Sequence, residues 1–511
     1  MLAKTWSAAI TGINAFPVEV EVHATKKGEQ NIVSIVGLPD AAVKESKDRV
    51  RSALHSSGFP HPRGFTVVNL APADLKKEGG AFDLPIALGM LAATGIIERQ
   101  LLTRTAIVGE LALDGSVRPV RGALPIAMEI SSKNEIDTLL VPYKNAEEAA
   151  LAAGKFPVIP IHNLRDAVAF FTTGDIFPYK ANLQNYIHNH YSELPDFSEV
   201  KGQAVARRAA EIAAAGGHNS LMIGPPGTGK SMIAKRLPGI LPPMTLEETL
   251  ETSRIHSILG MLSDGEPLLN RRPFRSPHHT ISDVGMIGGG GNPTPGEISL
   301  AHNGVLFLDE FPEFKRNVLE VLRQPMEDGV VNITRAAGSY SFPANFMLIA
   351  AMNPCPCGLE NPDLGCRCRP DEKRRYRNKI SGPLLDRIDL HVEVNRLTHE
   401  ELLAAPDGED SNAILGRVIA AREIQRERFK DRKFHCNAGM SGKDLQKFCK
   451  LERQSELLLR HAITNFNLSP RAYDRILKVA RTIADLAGQE QISEDHLFEA
   501  ISYRSYDRTD W

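Results

Sequence analysis

Residues 221–231, LMIGPPGTGKS, constrain this chain more than any other stretch. A short apolar run leads into Gly224, Pro225, Pro226, Gly227, Thr228, Gly229, Lys230 and Ser231, which together give the spacing Gly-x-x-x-x-Gly-Lys-Ser. Glycines let the main chain close in until successive backbone N–H groups form a concave anion site. A lysine at this spacing adds positive charge at the outer phosphates, and the following hydroxyl suits a Mg²⁺ ion. The pattern predicts a strand–loop–helix unit that holds ATP with Mg²⁺, and with it an α/β core built on a parallel sheet.

Three later stretches supply what such a core needs. Residues 304–310, GVLFLDE, form an apolar run ending in two carboxylates. Buried parallel strands are apolar throughout, and ligands gather at their C-terminal ends. Asp309 is therefore expected to hold Mg²⁺ through water, and Glu310 to polarise the attacking water. A third strand, FMLIAA at 346–351, leads to Asn353, which can donate or accept at the γ-phosphate. Residues 383–394, PLLDRIDLHVEV, carry Arg387 just before an alternating strand, and Arg471 follows Ser469-Pro470 at the start of a helix. A guanidinium is planar and permanently charged, which suits it to a phosphoryl group in transfer.

At 511 residues the chain is long enough for several domains. With 60 Lys and Arg against 62 Asp and Glu, its net charge is -2. A general basic coat is thereby excluded, and contact with nucleic acid has to be local. The N-terminus lacks a signal-like apolar core, and the chain has no long apolar run. Its six cysteines are too sparse for a disulfide framework, so a cytoplasmic setting and no membrane partner are expected. The expected boundaries are a first unit at 1–172, a linker at 173–195, the ATPase core at 196–395 and a helical lid at 396–511.

The first unit resembles the proteolytic domain of Lon-type proteases, an α+β fold. The likeness lies in Lys77-Glu78-Gly79-Gly80-Ala81, in Gly109-Glu110-Leu111 through Arg118-Pro119-Val120, and in Leu140-Val141-Pro142. Those enzymes use a Ser-Lys dyad, in which the amine activates the hydroxyl. Here the serine position is Ala81 and the lysine position falls at Leu124, so an inactive scaffold is expected. From the phosphate loop onward the chain resembles the AAA+ ATPases, and within them the magnesium-chelatase-like ComM/YifB family. The resemblance covers almost the whole chain. Its most specific stretches are GLPDAAVKESKDRVRSAL (37–54), GPPGTGKSMIAKRLPGILP (224–242), FRSPHHTIS (274–282), AHNGVLFLDE (301–310) and AMNPCPCG (351–358). It implies that Lys230, Ser231, Asp309, Glu310, Asn353, Arg387 and Arg471 match the Walker A, Walker B, sensor 1, arginine-finger and sensor 2 positions. It also implies a homo-hexameric ring and a DNA helicase or branch-migration role in natural transformation. The alternatives are a magnesium-chelatase motor subunit and a protein-remodelling ring.

Two stretches read as pore equipment by the same resemblance: a hairpin around 330–343 with Arg335 at its tip, and the glycine-rich loop 277–296, whose composition argues against a regular element. A basic cluster from Arg369 to Lys379 holds Arg374, Arg375 and Arg377 with Tyr376 between them, as phosphate contact and base stacking require. A second basic run, 417–433, reads more readily as a solvated helix face than as a phosphate contact. Cys355, Cys357, Cys366 and Cys368 form two close pairs that could close a tetrahedral zinc site within an insert at 353–369. His278 and His279 read as packing or polar contacts rather than ligands. With neither half of a Ser-Lys dyad, the purified chain is expected to show no ATP-dependent cleavage of fluorogenic peptides; cleavage that disappears in Ala81→Trp would overturn this.

Overall fold

The computed structural model describes residues 1–25, 31–182, 194–262, 266–291, 293–335, 338–359, 365–398, 401, 408–466 and 468–504. The middle of the expected linker, at 183–193, lies outside them. The chain forms two compact units, one of Met1–Asn189 with Leu246–Leu269, the other of His190–Thr245 with Asn270–Trp511.

The first unit is built on a seven-stranded mixed sheet in the order Ile32–Val36, Phe65–Ala71, Asn14–Ala24, Leu2–Thr11, Thr105–Ile107, Thr138–Pro142, Val158–Ile161. The opening strand Leu2–Thr11 was not evident in the sequence. It pairs antiparallel with Asn14–Ala24 along its whole length, about a tight turn at Gly12. Asp40 caps the helix Ala41–Ser56, accepting from Val43 N at 2.7 Å. The helix Asp83–Thr94 is buried on all faces. Its one charge, Asp83, is neutralised by Arg49, whose Nε and Nη2 donate at 2.6 and 3.0 Å.

Leu246–Leu269 belongs to this first unit although it lies in sequence between the phosphate loop and Asp309. Leu268 packs with Leu124 and Leu151, so the position where a dyad lysine was sought is a buried leucine in an apolar cluster. Ser257, in the helix Leu246–Ile258, accepts from Gly122 N through its carbonyl at 3.0 Å. Its hydroxyl donates to Glu148 at 3.1 Å, and Asn145 Nδ2 donates to the same carboxylate at 2.6 Å.

The second unit carries a five-stranded parallel sheet in the order Phe274–Arg275, Val305–Leu308, Met347–Met352, Ser220–Ile223, Leu390–Glu393. All four residues of Ser220–Ile223 and of Val305–Leu308 are buried, as the unbroken apolar runs predict. The helices Ala204–Gly216, Ser411–Arg428 and Pro470–Leu486 share one hydrophobic core with these strands, joining Met222, Phe307 and Ile349 to Val418, Ile476 and Ile483. The glycine-rich loop departs from expectation, since Gly288–Gly289 pairs antiparallel with Thr294–Pro295 and a helical turn precedes them. A single turn of helix, Asp283–Ile287, forms there because Ser282 caps it, accepting from Gly285 N. No helix among the described residues is long and apolar enough to cross a membrane.

Burial pushes the Glu148 carboxyl up to about 7, against hydrogen bonds from Asn145 and Ser257 that favour its charged form. The folded state then binds the proton more tightly than the unfolded chain, so stability falls as pH rises from about 4.5 through 7, by on the order of 3 kcal/mol. Amide exchange in Leu246–Ile258, corrected for intrinsic rates, is expected to speed up between pH 6 and 8 in the wild type and to lose that dependence in Glu148→Gln.

Candidate nucleotide-binding site

Three strand ends meet at one edge of the second sheet. Ser220–Ile223 opens into the phosphate loop, Val305–Leu308 into Asp309 and Glu310, and Met347–Met352 into Asn353. The register fixes their alignment, with Ile223 beside Met352 and Leu308 beside Ala350. Gly224 is required sterically, since a Cβ there would lie 2.1 Å from the Val394 carbonyl oxygen. Gly227 and Gly229 adopt left-handed backbone, with φ of +78° and +91°. The helix Lys230–Arg236 follows directly.

The result is a cavity of about 400 Å³ lined by Pro226, Gly227, Thr228, Gly229, Lys230, Ser231, Met232, Asp309, Glu310 and Asn353. Lys230 as a residue is 7% exposed. Its ammonium donates to the carbonyls of Gly224 and Pro225, at 2.5 and 2.8 Å, and to Asn353 Oδ1 at 3.3 Å. Burial pulls it down to about 8, against the opposing pull of Asp309. A buried cation held by neutral carbonyls is a site suited to an anion. Ser231 Oγ donates to Asp309 Oδ2 at 2.5 Å, which brings together the hydroxyl and carboxylate that a Mg²⁺ ion takes from such a core. Glu310 sits in left-handed backbone, φ +51°, with its carboxylate 3.2 Å from His279 Nδ1. His279 stacks near His278 at 4.1 Å, so the pair makes the polar and packing contacts expected of it. The direct reach of His279 to Glu310 had no signal in the sequence. Nor did Gln203, which ties Thr228 to Asn395 through its amide.

The two candidate arginines are not among the residues lining this cavity. Arg387 precedes the strand Leu390–Glu393, with its carbonyl fixed by Asn219 Nδ2 at 3.1 Å. Its guanidinium contacts Glu327 and the Pro383 carbonyl. Arg471 lies in the first turn of Pro470–Leu486, which Ser469 caps, and its guanidinium is 3.5 Å from Asp386. Both arginines thus gather around the same loop, beside Asp386.

The four cysteines converge. The sulfurs of Cys355, Cys357, Cys366 and Cys368 all lie within 4.8 Å of one another, and three of the separations are 3.4, 3.5 and 3.9 Å. A tetrahedral Zn–S₄ centre requires S···S of about 3.8 Å, so the donor set fits zinc. A backbone N–H from Leu359 and the neighbouring thiols pull the Cys357 thiol down, whereas its thiol neighbours push Cys368 up, so one sulfur of the cluster takes the thiolate form ahead of the others. The turn after Cys355 is pressed onto the phosphate loop. A Cβ on Gly358 would lie 2.6 Å from Pro226 Cδ.

The basic stretches separate by environment. Arg335 is exposed at the end of Val330–Arg335, which pairs antiparallel with Gly338–Pro343 as the sequence predicted; Ala336 and Ala337, between them, lie outside the described residues. Arg374 and Arg375 are exposed on the helix Pro370–Arg377. Tyr376 is only 6% exposed, which corrects its expected role in stacking a base. Arg377 donates to the Pro354 carbonyl, tying this helix to the cysteine loop. In the second run Arg417 binds Glu211 and Glu409, Arg422 the Ala214 carbonyl and Arg428 Asp485, so these arginines serve the packing of the unit.

Three family models match the chain: magnesium chelatase, subunit ChlI, over residues 196–402; subunit ChlI of Mg-chelatase over 20–145; and the ChlI C-terminal model over 408–504. The YifB proteins of Salmonella typhimurium and Escherichia coli are each 44% identical to it, over 99% of this chain and 98% of theirs. Competence protein ComM of Haemophilus influenzae is also 44% identical, over 99% of this chain and 97% of its own. With identity at this level running from end to end, the chain belongs to the ComM/YifB family of magnesium-chelatase-like proteins.

Proposed function

We propose that this chain is the subunit of an ATP-driven ring, a homo-hexamer in the cytoplasm, that moves single-stranded or branched DNA during recombination of incoming DNA. The observation that carries this reading is the division of labour around the cavity. Lys230, Ser231, Asp309, Glu310 and Asn353 line it, whereas Arg387 and Arg471 stand elsewhere, around Asp386. A site lacking its own arginine completes itself with a neighbour's, which makes turnover a property of an assembly. DNA as cargo is supported by the exposed Arg335, Arg374 and Arg375, and a part in taking up incoming DNA by the likeness to the Haemophilus competence protein.

On this reading the Lys230 ammonium leaves the Gly224 and Pro225 carbonyls for the β- and γ-phosphates of ATP. Ser231 and Asp309 would hold a Mg²⁺ ion, whose charge would offset that of the phosphoryl group in transfer. Glu310 orients the attacking water and takes its proton, and Asn353 donates to the γ-phosphate. Arg387 and Arg471 of the adjacent subunit stabilise the charge that develops as the bond breaks. The first unit, with Ala81 and Leu124 in place of a dyad, acts as a scaffold. The cysteine cluster acts as a zinc clip that orders the turn against Pro226. The reading as a magnesium-chelatase motor is favoured by the descriptions of the matching family models. It differs in predicting turnover indifferent to DNA.

Arg387→Ala is expected to keep ATP binding and to lose turnover by roughly 10³-fold, while wild-type turnover rises with single-stranded or forked DNA. Unchanged turnover in the variant would remove the shared site, and indifference to DNA would favour the chelatase reading. For the clip, metal analysis is expected to find one zinc per chain. Its removal by a chelator, or Cys355→Ser, should lower the melting temperature and weaken ATP binding. A metal-free chain with wild-type affinity would sink that assignment.

A further inference from the structure

The proposed trans-acting arginine is held by its own chain. Arg387 is 6% exposed, its Nη1 donates to the Pro383 carbonyl, and its Nη2 donates to Glu327. Its Nε is buried and has no hydrogen-bond partner among the described residues. This differs from the arginines that hold the unit together. Arg428 grips Asp485 through both terminal nitrogens, at 2.7 and 2.5 Å, and the Asp485 side chain is fully buried. Arg275 grips Glu297 with two bonds of 2.7 Å. Arg387 instead has one bond to a carboxylate, and the Glu327 side chain is 51% exposed. A half-exposed glutamate can turn to water at small cost, whereas a buried one cannot.

Glu327 also has a distinctive address. It lies in the last turn of the helix Arg323–Asp328, which Gly329 ends in left-handed backbone, and the hairpin begins at the next residue, Val330. The hairpin closes at its root where Ala344 N donates to the Gly329 carbonyl at 2.8 Å. Force on the arm that presents Arg335 therefore arrives two residues from the carboxylate that restrains Arg387.

We infer that Glu327 is a positioning residue that stows Arg387 against its own chain, and that displacement of the hairpin Val330–Pro343 by a polyanionic strand frees the guanidinium for the neighbouring subunit's phosphates. The inference rests on the ring reading and adds how DNA engagement is transmitted to hydrolysis. No bond is made or broken in it. One ion pair is exchanged for another, and the charge of the site in the neighbouring subunit rises by one when the exchange occurs.

The test measures kcat and KM for ATP on the full chain, with and without a single-stranded oligonucleotide. In Glu327→Gln the DNA-free kcat is expected to rise about threefold to fivefold, the range a half-exposed ion pair can hold back. KM should stay near wild type and the stimulation by DNA should shrink toward one. Glu327→Asp, which keeps the charge at a shorter reach, should fall between the two. The double variant Glu327→Gln/Arg387→Ala should be as slow as Arg387→Ala alone. A fall in kcat for Glu327→Gln would mean that Glu327 presents the arginine rather than restraining it, and an unchanged stimulation ratio would mean that it does neither. Either result overturns the inference while the ring reading stands. Only full turnover in Arg387→Ala would remove the ring reading itself.

Discussion

The Lys230 side chain is largely buried, its ammonium held by carbonyl dipoles and drawn by Asp309. Everything around it follows from the need to tolerate that charge. The loop has to turn tightly enough to present oxygens, which requires glycine at 224, 227 and 229. The strands on either side have to stop at the same level so that a carboxylate and an amide can face the same space. The parallel sheet supplies that level edge, because neighbouring strands run in one direction and end together. A sheet with alternating strand directions would put half of these groups at the opposite end.

Much of this site was legible in the sequence because its parts are local. A strand buried on both faces must be apolar throughout, so 304–308 and 346–351 announce themselves, and the first polar residue after each run is the one at the edge. The cysteine pairs were legible for the same reason, since eleven residues are enough to bring Cys355 to Cys366. Partners distant in the chain were not. The basic run at 417–433 looks like a solvated helix face until Arg417 is seen on Glu211 and Arg428 on Asp485. Charge along a sequence says nothing of which acid will lie opposite. Tyr376 failed similarly, since a ring among four cations reads as exposed until the helix turns it inward.

The front of the chain was legible as a type and less so in detail. Its character was marked by the stretches Lys77–Ala81, Gly109–Val120 and Leu140–Pro142, but the first strand, Leu2–Thr11, lacks a strong alternation. The segment Leu246–Leu269 gave no sign of its allegiance. Its helix, LEETLETSRIHSI, carries little amphipathic pattern, and what binds it to the first unit is a set of particular bonds, Ser257 to Gly122 and Glu148, with Leu268 against Leu124. Such bonds depend on three-dimensional placement and leave no periodic trace.

That segment has a consequence for how the two units can be inherited. Because the chain leaves the nucleotide-binding unit after Thr245, joins the first unit, and returns at Asn270, the units are interleaved along the sequence. Neither can be exchanged for a homologue by a single crossover between genes. A graft that replaced residues 1–189 alone would set a foreign surface against Leu268 and Ser257, and one that replaced the remainder would carry away part of the first unit's own packing. Residues 1–189 and the segment Leu246–Leu269 are therefore tied in inheritance, each substitution in one answered in the other within the same open reading frame.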